Sequence, residues 1–374
     1  MKVLILSCKT GGGHDAAGMA LKEELESRGH QGIMLDYLVL AGQKVSNAVE
    51  DVYVNTVKKT PHVFGAVYNI GMAVSRITRK SPVYYVNSRM AKYLQPYLEE
   101  ENFDAVLMPH LYPAETLTYM KRKGIRLPLT LAVMTDYTCI PFWEETECDY
   151  YIIPYEELTE TCVKRGMPRE KLLPLGIPVS RRFRLKADKK KAREYLGFPS
   201  EKKIYLLMGG SMGAGDLEKL TERLWKEVGG RDCVAIICGS NKKIFQKLKK
   251  KYGGEKNFFI IGKTRQMELY MKACDIIYTK PGGLTSTEAA VSGIPIVHTA
   301  PIPGCETANR KFFEKHKMSL SPRTIDRQVA EGIRLLESPE RVQAMVEAQR
   351  NCISGKAAAK IVDFLEKSVS AGKH

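Results

Sequence analysis

The chain has 374 residues, about twice the length of a usual single domain, and its 44% hydrophobic content suffices for two ordinary cores. A formal charge of +16 calls for an anionic partner and leaves open nucleic acid, an acidic membrane surface or a phosphorylated substrate. No eighteen apolar residues run together and the opening stretch Met1 to Leu6 is too short for a signal-peptide core, so neither export nor a membrane span is expected.

In chain order, Val3 to Leu6, Gly32 to Asp36, Ala105 to Met108, Leu129 to Met134 and Tyr150 to Ile153 are short, nearly continuous apolar runs. That is the pattern of strands buried on both faces. After a highly charged segment, Arg181 to Arg193, the alternation restarts with Ile204 to Met208, Cys233 to Cys238, Phe258 to Ile261, Asp275 to Tyr278 and Ile294 to Val297. Repeated strand and helix predict an α/β protein of two Rossmann-like, doubly wound parallel-sheet domains facing a cleft, with the boundary near Gly176 to Arg184. The domains are placed at 1–178 and 179–355. Residues 356–374 are expected to form a C-terminal helix, apolar at Ala358, Ile361, Val362 and Leu365, able to pack on either domain, the N-terminal one foremost. The lysine clusters Lys189 to Lys191 and Lys249 to Lys251 are read as solvated helix faces. Nine scattered cysteines, without a Cys-x-x-Cys pair or zinc-ligand spacing, fit a reducing compartment.

Lys9-Thr10-Gly11-Gly12-Gly13-His14 follows the first strand and opens a helix over Asp15 to Glu26, placing bare N–H groups where an anion or a close ligand can sit. Gly11-x-Gly13-x-x-Ala16 also fits the dinucleotide fingerprint, with Asp36 standing where a ribose-binding acid is expected. An NAD-dependent oxidoreductase is therefore one reading, and a ligand-free tight turn another. The bulk of His14 would crowd a pyrophosphate. A neutral imidazole at a helix start suits a general base that takes a proton from an acceptor hydroxyl.

Two further turns lie in the second half. Gly209-Gly210-Ser211-Met212-Gly213-Ala214-Gly215 follows its first strand, and Lys280-Pro281-Gly282-Gly283-Leu284-Thr285-Ser286-Thr287-Glu288 follows its fourth. The latter predicts a glycine turn and a helix from about Leu284, so that phosphate oxygens meet N–H donors, the hydroxyls of Thr285 and Ser286, and a positive dipole end. Glu288, one turn on, can accept both hydroxyls of a ribose or stand as a surface acid favoured by the helix start. Neither turn has P-loop spacing. Pro301 to Asn309 is a rigid loop entering a helix with Glu306 and Asn309 three apart on one face, a carboxylate and an amide of the kind sugar hydroxyls need.

Together these blocks resemble glycosyltransferase family 28, specifically its diacylglycerol glycosyltransferases, which include bacterial processive diacylglycerol glucosyltransferases and plant monogalactosyldiacylglycerol synthases. The likeness spans nearly the whole chain: Gly-Gly-Gly-His at the start, Val133 to Tyr137, Gly176-Ile177-Pro178, Gly209-Gly210-Ser211, Thr279 to Gly283 through Glu288-Ala289, and Pro303-Gly304-x-Glu306-x-x-Asn309. The resemblance implies a GT-B fold whose C-terminal domain holds a UDP-sugar and whose N-terminal domain receives the acceptor, with inversion at the anomeric carbon. By this likeness Ser211 and the Gly282-Gly283 turn contact the diphosphate and Glu288 the ribose, and Gly209, Lys280, Leu284, Thr285 and Ser286 are counted with them among the donor-binding residues. Glu306 and Asn309 meet the hexose hydroxyls, and the loop Gly262, Lys263 and Thr264 holds uracil. Gly12, Gly13 and Tyr137 lie on the acceptor side. Cys305 stands where relatives commonly carry glutamine, which bears on the choice of sugar.

The implied reaction is one in-line displacement: an acceptor hydroxyl deprotonated by His14 attacks the anomeric carbon as UDP leaves, with Asp136 orienting that base or serving as the base. No Asp-x-Asp element occurs, so no divalent metal and no cofactor are expected, and helix dipole and backbone donors meet the leaving charge, with Lys280 or Arg265 assisting. The expected product is a hexosyl lipid, glucose on diacylglycerol or a glycosyl-diacylglycerol. Transfer of N-acetylglucosamine to a polyprenyl-linked lipid is the alternative within the class.

Between Gly42 and Gln95, Lys44, Lys58, Lys59, Arg76, Arg79, Lys80, Arg89 and Lys92 stand against only Glu50 and Asp51, interleaved with Tyr53, Phe64, Tyr68, Tyr84, Tyr85 and Tyr93. Val45, Ala48, Val49 and Val52 add a helical apolar stripe. This suits an interfacial surface on anionic lipid, each cation contributing roughly 1 kcal/mol, or a helical insertion packed on the first domain. The expected location is cytoplasmic, peripheral on the inner face of the plasma membrane. No nucleic-acid module is recognisable, and nothing in the residues fixes an oligomeric state.

Overall fold

Val3, Leu4, Ile5 and Leu6 are all fully buried, and so are Ile204, Tyr205, Leu206 and Leu207 in the second half of the chain. Strands with no exposed face belong in the middle of parallel sheets covered on both sides. In the computed structural model, which describes residues 1–8, 12–49, 51, 61–78, 80–185, 188–209 and 217–372, they do so in two separate compact units. One unit is Met1–Arg181 with Pro303–Cys305 and Gly355–His374. The other is Arg182–Ile302 with Glu306–Ser354.

The first unit holds β1 (Lys2–Ser7), β2 (Gln31–Asp36), β3 (Ala105–Met108), β4 (Leu129–Val133), β5 (Tyr150–Ile152) and β6 (Leu172–Leu173), in the order β2-β1-β3-β4-β5-β6. All neighbours run parallel. The helix Gly12–Ser27 lies against β1 and β2 through Gly18, where a Cβ would stand 3.1 Å from both Ile5 Cγ2 and Met34 Cε, so a larger residue would require those side chains to shift. The helix Ala357–Ser370 buries Ala358, Ile361, Val362 and Leu365 in one cluster with Val3, Ile5, Leu21 and Leu25. Arg28 ties it down, 2.6 Å from Asp363 and 3.2 Å from Glu366.

The second unit holds β7 (Ile204–Met208), β8 (Cys233–Ile237), β9 (Phe258–Ile261), β10 (Ile276–Thr279) and β11 (Ile296–His298), again all parallel, in the order β11-β10-β7-β8-β9. The doubly wound α/β reading therefore holds, with β6 added as a two-residue strand and β10 and β11 starting one and two residues later than the apolar pattern places them. In each unit the strand order reverses once, between β1 and β3 and between β7 and β10. Ligands of such sheets bind outside the carboxyl ends of the strands at that reversal.

Candidate functional site

In the first unit, the reversal brings two histidines together. His14 is the third residue of the helix that follows β1, and His110 follows β3. Their rings meet edge-on with centroids 4.5 Å apart. His14 Nδ1 lies 2.7 Å from the Pro109 carbonyl oxygen, which can only accept, so Nδ1 donates there and Nε2 is the nitrogen left to act as a base. Thr135 Oγ1, 3.1 Å away, closes on the same Nδ1. The backbone thus fixes the tautomer a general base needs. His110 caps the helix Leu111–Arg122, accepting the Tyr112 N–H at 3.1 Å. Burial, and after it the neighbouring His14, hold His110 well below the usual imidazole range, so it stays neutral.

His14, His110, Tyr112, Thr135 and Asp136 line a cavity of about 260 Å³ whose other walls include Val67, Tyr68, Val83, Phe142 and Trp143. The wall is mostly apolar, with the adjoining His14 and His110 and the carboxylate of Asp136 among its polar groups. Asp136, three residues past β4, is half-buried on this wall. Gly12 and Gly13 form the first turn of the His14 helix. Tyr137 is buried with its ring 6.1 Å from that of Tyr155, and it is not among the residues lining the cavity. Asp36 caps the short helix Tyr37–Ala41, one oxygen accepting the Leu38 N–H at 3.2 Å and the other the Ser46 hydroxyl. Both oxygens of the acid expected to hold a ribose under the dinucleotide reading thus serve the local fold. Gly11, which completes that fingerprint, lies outside the described residues.

In the second unit, Gly209 is buried just past β7, and Ser211, with the rest of residues 210–216, lies outside the described residues. Past β10, the helix Gly283–Ser292 begins at the N-cap Gly282, which has φ −69° and ψ 137° and brings no side chain to the helix start. The Gly282 carbonyl accepts the Ser286 N–H at 3.0 Å, the first bond of the helix. The N–H groups of Gly283, Leu284 and Thr285 precede it and have no acceptor within the helix. Aligned donors with a positive dipole end are a helix start able to receive an anion.

Ser286 faces the other way. Its hydroxyl is 3.0 Å from His298 Nε2, and His298 Nδ1 is 3.0 Å from the Ser319 hydroxyl. Burial, then Arg310, depress His298 to about 3, so it is neutral, donating from one nitrogen and accepting at the other. The Ser286 side chain therefore braces the helix against β11. Glu288 is half-buried one turn on. Burial, and to a lesser degree Glu268, push its carboxyl up to about 8.

Lys280, directly after β10, is paired with Glu306 at 2.8 Å, and the Ile302 N–H donates to the other Glu306 oxygen at 2.7 Å. Asn309 is fully buried one turn along the same helix, Cys305–Lys315. Gly262, Lys263 and Thr264 follow β9. A Cβ on Gly262 would meet nothing nearer than Phe245 Cε2 at 4.0 Å, so this backbone is open to approach, and Thr264 Oγ1 accepts the Gln266 N–H at 3.0 Å.

Glu288 gives a measurable consequence. Between pH 4.5, the ordinary value, and about 8, the folded protein holds a proton that the unfolded chain has lost, so stability falls as pH rises through that window. Glu288→Gln is expected to flatten this part of the stability curve from urea unfolding, and an unchanged slope would remove Glu288 as its source.

Residues 14–179 match the family described as monogalactosyldiacylglycerol (MGDG) synthase, and residues 188–352 match glycosyl transferases group 1. A processive diacylglycerol β-glucosyltransferase of Bacillus cytotoxicus is 25% identical over 100% of this chain and 95% of its own length. The two family matches and the whole-length relatives support a diacylglycerol glycosyltransferase of family 28. The transferase has the GT-B fold: Acinetobacter baumannii MurG aligns with a TM-score of 0.62 at 16% identity, covering 98% of this chain and 99% of that one. Anabaena HepE, solved in complex with UDP-glucose, aligns at 0.59 and 11% identity, covering 99% and 100%. The family match and the engaged Asp36 together set the oxidoreductase reading aside.

His110, His298 and the Lys280–Glu306 pair are the site features that sequence reasoning missed. Met108-Pro109-His110, at the end of a buried strand, was a usable signal for the first, because β3 is the strand across the reversal from β1.

Proposed function

We propose that the transferase moves a hexose, glucose foremost, from a UDP-sugar to diacylglycerol or a glycosyl-diacylglycerol at a membrane surface, with inversion. The observation that carries the reading is a histidine of fixed tautomer on the wall of a mostly apolar cavity of about 260 Å³. That is a base placed where an apolar molecule can present a hydroxyl. The whole-length similarity to a diacylglycerol β-glucosyltransferase supports the same acceptor class.

In this mechanism His14 Nε2 takes the acceptor proton, the oxygen attacks the anomeric carbon, and UDP leaves in a single displacement. The N–H groups of Gly283, Leu284 and Thr285 receive the diphosphate, and Gly209 and Ser211 are assigned to the donor with them. Glu288 takes the ribose, Gly262 to Thr264 the uracil, and Glu306 and Asn309 the sugar hydroxyls. Asp136 stands on the same cavity as His14 and shares the acceptor side with Gly12 and Gly13. Charge stabilisation by backbone dipoles makes the reaction independent of divalent metal.

The membrane side rests on composition and exposure. Asp51 and Glu99 bracket a stretch with no acid, in which Lys58, Lys59, Arg76, Arg79, Lys80, Arg89 and Lys92 fall. On the helix Pro61–Ile77, Val67, Ile70 and Ile77 are exposed, as are Tyr85 and Val86 on the helix Pro82–Ser88. Apolar side chains on a basic surface suit docking on anionic lipid. Val45 and Ala48 are likewise exposed, whereas Val52, Tyr53, Lys58, Lys59 and Arg79, and the side chains of Phe64 and Arg76, lie outside the described residues. Tyr84 is a correction: it is buried, with the Arg122 guanidinium 5.0 Å over its ring, and belongs to the core. Among the described residues, no helix is long and apolar enough to cross a membrane.

The test is incubation with UDP-glucose, UDP-galactose or UDP-N-acetylglucosamine and vesicles carrying either diacylglycerol or a polyprenyl phosphate lipid, with products read by mass spectrometry. Hexosyl-diacylglycerol is expected, at a rate unchanged by EDTA. Absence of UDP release with every hexose donor on diacylglycerol vesicles would overturn the assignment.

A further inference from the structure

Lys280 stands two residues before the N-cap Gly282, a place from which a cation is expected to reach for phosphate. Its Nζ instead lies 2.8 Å from Glu306 Oε1, and the two side chains are only 10% and 11% exposed. Glu306 Oε1 is also 3.9 Å from the point where a Cβ would project from Gly282, which sets the carboxylate beside the first turn of the helix Gly283–Ser292. The second oxygen is anchored by the Ile302 N–H at 2.7 Å.

This geometry fixes two properties of Glu306 at once. A carboxylate paired with an ammonium presents only hydrogen-bond acceptors, and its two anchors set where they point. Each oxygen has two lone-pair directions, so after Lys280 and Ile302 have taken theirs, acceptor capacity remains for hydroxyl donors. Without Lys280 the buried charge is uncompensated. One of the two groups that set the position of the carboxylate is then lost.

We propose that Lys280 is a positioning residue for recognition of the donor sugar: it holds the Glu306 carboxylate in place, so that hexose hydroxyls meet a fixed acceptor, and it makes no contact with the diphosphate. The inference rests on the reading of the second unit as the UDP-sugar site. The charge of the diphosphate then falls to the backbone N–H groups of the helix start.

The two roles for Lys280 separate experimentally. UDP affinity is measured by calorimetry, and kcat and KM for UDP-glucose and UDP-galactose, for wild type, Lys280→Met, Glu306→Gln and the double variant. In Lys280→Met, UDP is expected to bind within about threefold of wild type while kcat/KM for the preferred UDP-hexose falls at least about 30-fold and the preference between the two sugars narrows. The double variant should lose little beyond Lys280→Met, because both changes disable the same group. A loss of UDP affinity of about tenfold or more in Lys280→Met would make Lys280 a phosphate ligand and overturn the proposal. Additive losses in the double variant would also overturn it. Should Lys280→Met not fold, the double variant, which removes the uncompensated charge, carries the same comparison of UDP affinity against sugar preference. Failure of wild type to bind UDP would instead strike at the donor-site assignment itself.

Discussion

His14→Ala is expected to lower kcat by about 10²–10⁴-fold and to leave UDP affinity near that of wild type, because the base acts on the acceptor. The expectation rests on the Pro109 carbonyl, which commits the Nδ1 proton and leaves Nε2 as the basic nitrogen. His14→Ala opens space beside His110, so a thermal unfolding curve accompanies the kinetics; a fold lost with the activity would move the measurement to His14→Asn, which keeps a polar group at the turn. Asp136→Asn separates the two candidates on the cavity wall. If it abolishes turnover while His14→Ala keeps more than about a tenth of it, the base is Asp136 and the histidine only shapes the cavity. Steady-state rates on diacylglycerol vesicles with saturating UDP-glucose decide between them.

The fold was legible in the sequence where burial is complete. Val3 to Leu6 and Ile204 to Met208 read as continuous apolar runs because both faces of each strand are covered, and no alternation is left to confuse them with an amphipathic helix. Strand β6, of two residues, carries too little pattern to be read. The Gly12-Gly13 and Gly282-Gly283 helix starts were legible because they are backbone features, written locally as residues without side chains. Their side-chain partners were not. His110 reaches His14 only through the order of β1 and β3, and Lys280 reaches Glu306 only because β10 and β11 are neighbours. Ser286 shows the same limit within one helix: its place in the first turn suggests a phosphate-facing hydroxyl, but the helical phase of about 3.6 residues per turn carries that hydroxyl round to His298. Tyr84, grouped by composition with its exposed neighbours as an interfacial aromatic, falls on the buried side of a short helix for a similar reason.

Filling the helix start is expected to abolish donor binding without harming the fold. Gly282 already has the extended φ and ψ of an N-cap residue, and a Cβ there finds its nearest neighbour at 3.9 Å, an ordinary contact. Gly282→Asn is therefore sterically admissible, and its side-chain oxygen can accept the Leu284 or Thr285 N–H in the usual capping geometry. Asparagine is chosen over aspartate because the Glu306 carboxylate stands close by. Stability should remain within about 0.5 kcal/mol of wild type, since glycine and asparagine differ little as caps. UDP affinity should fall by at least about 100-fold, because a diphosphate would have to displace the cap and the aligned donors are its main partners. A ligand held chiefly by side chains would tolerate a better cap, whereas one held by bare backbone N–H groups cannot share them. Calorimetry with UDP alongside urea unfolding of the same variant measures both, and retained UDP affinity in a well-folded Gly282→Asn protein would place the diphosphate away from this helix.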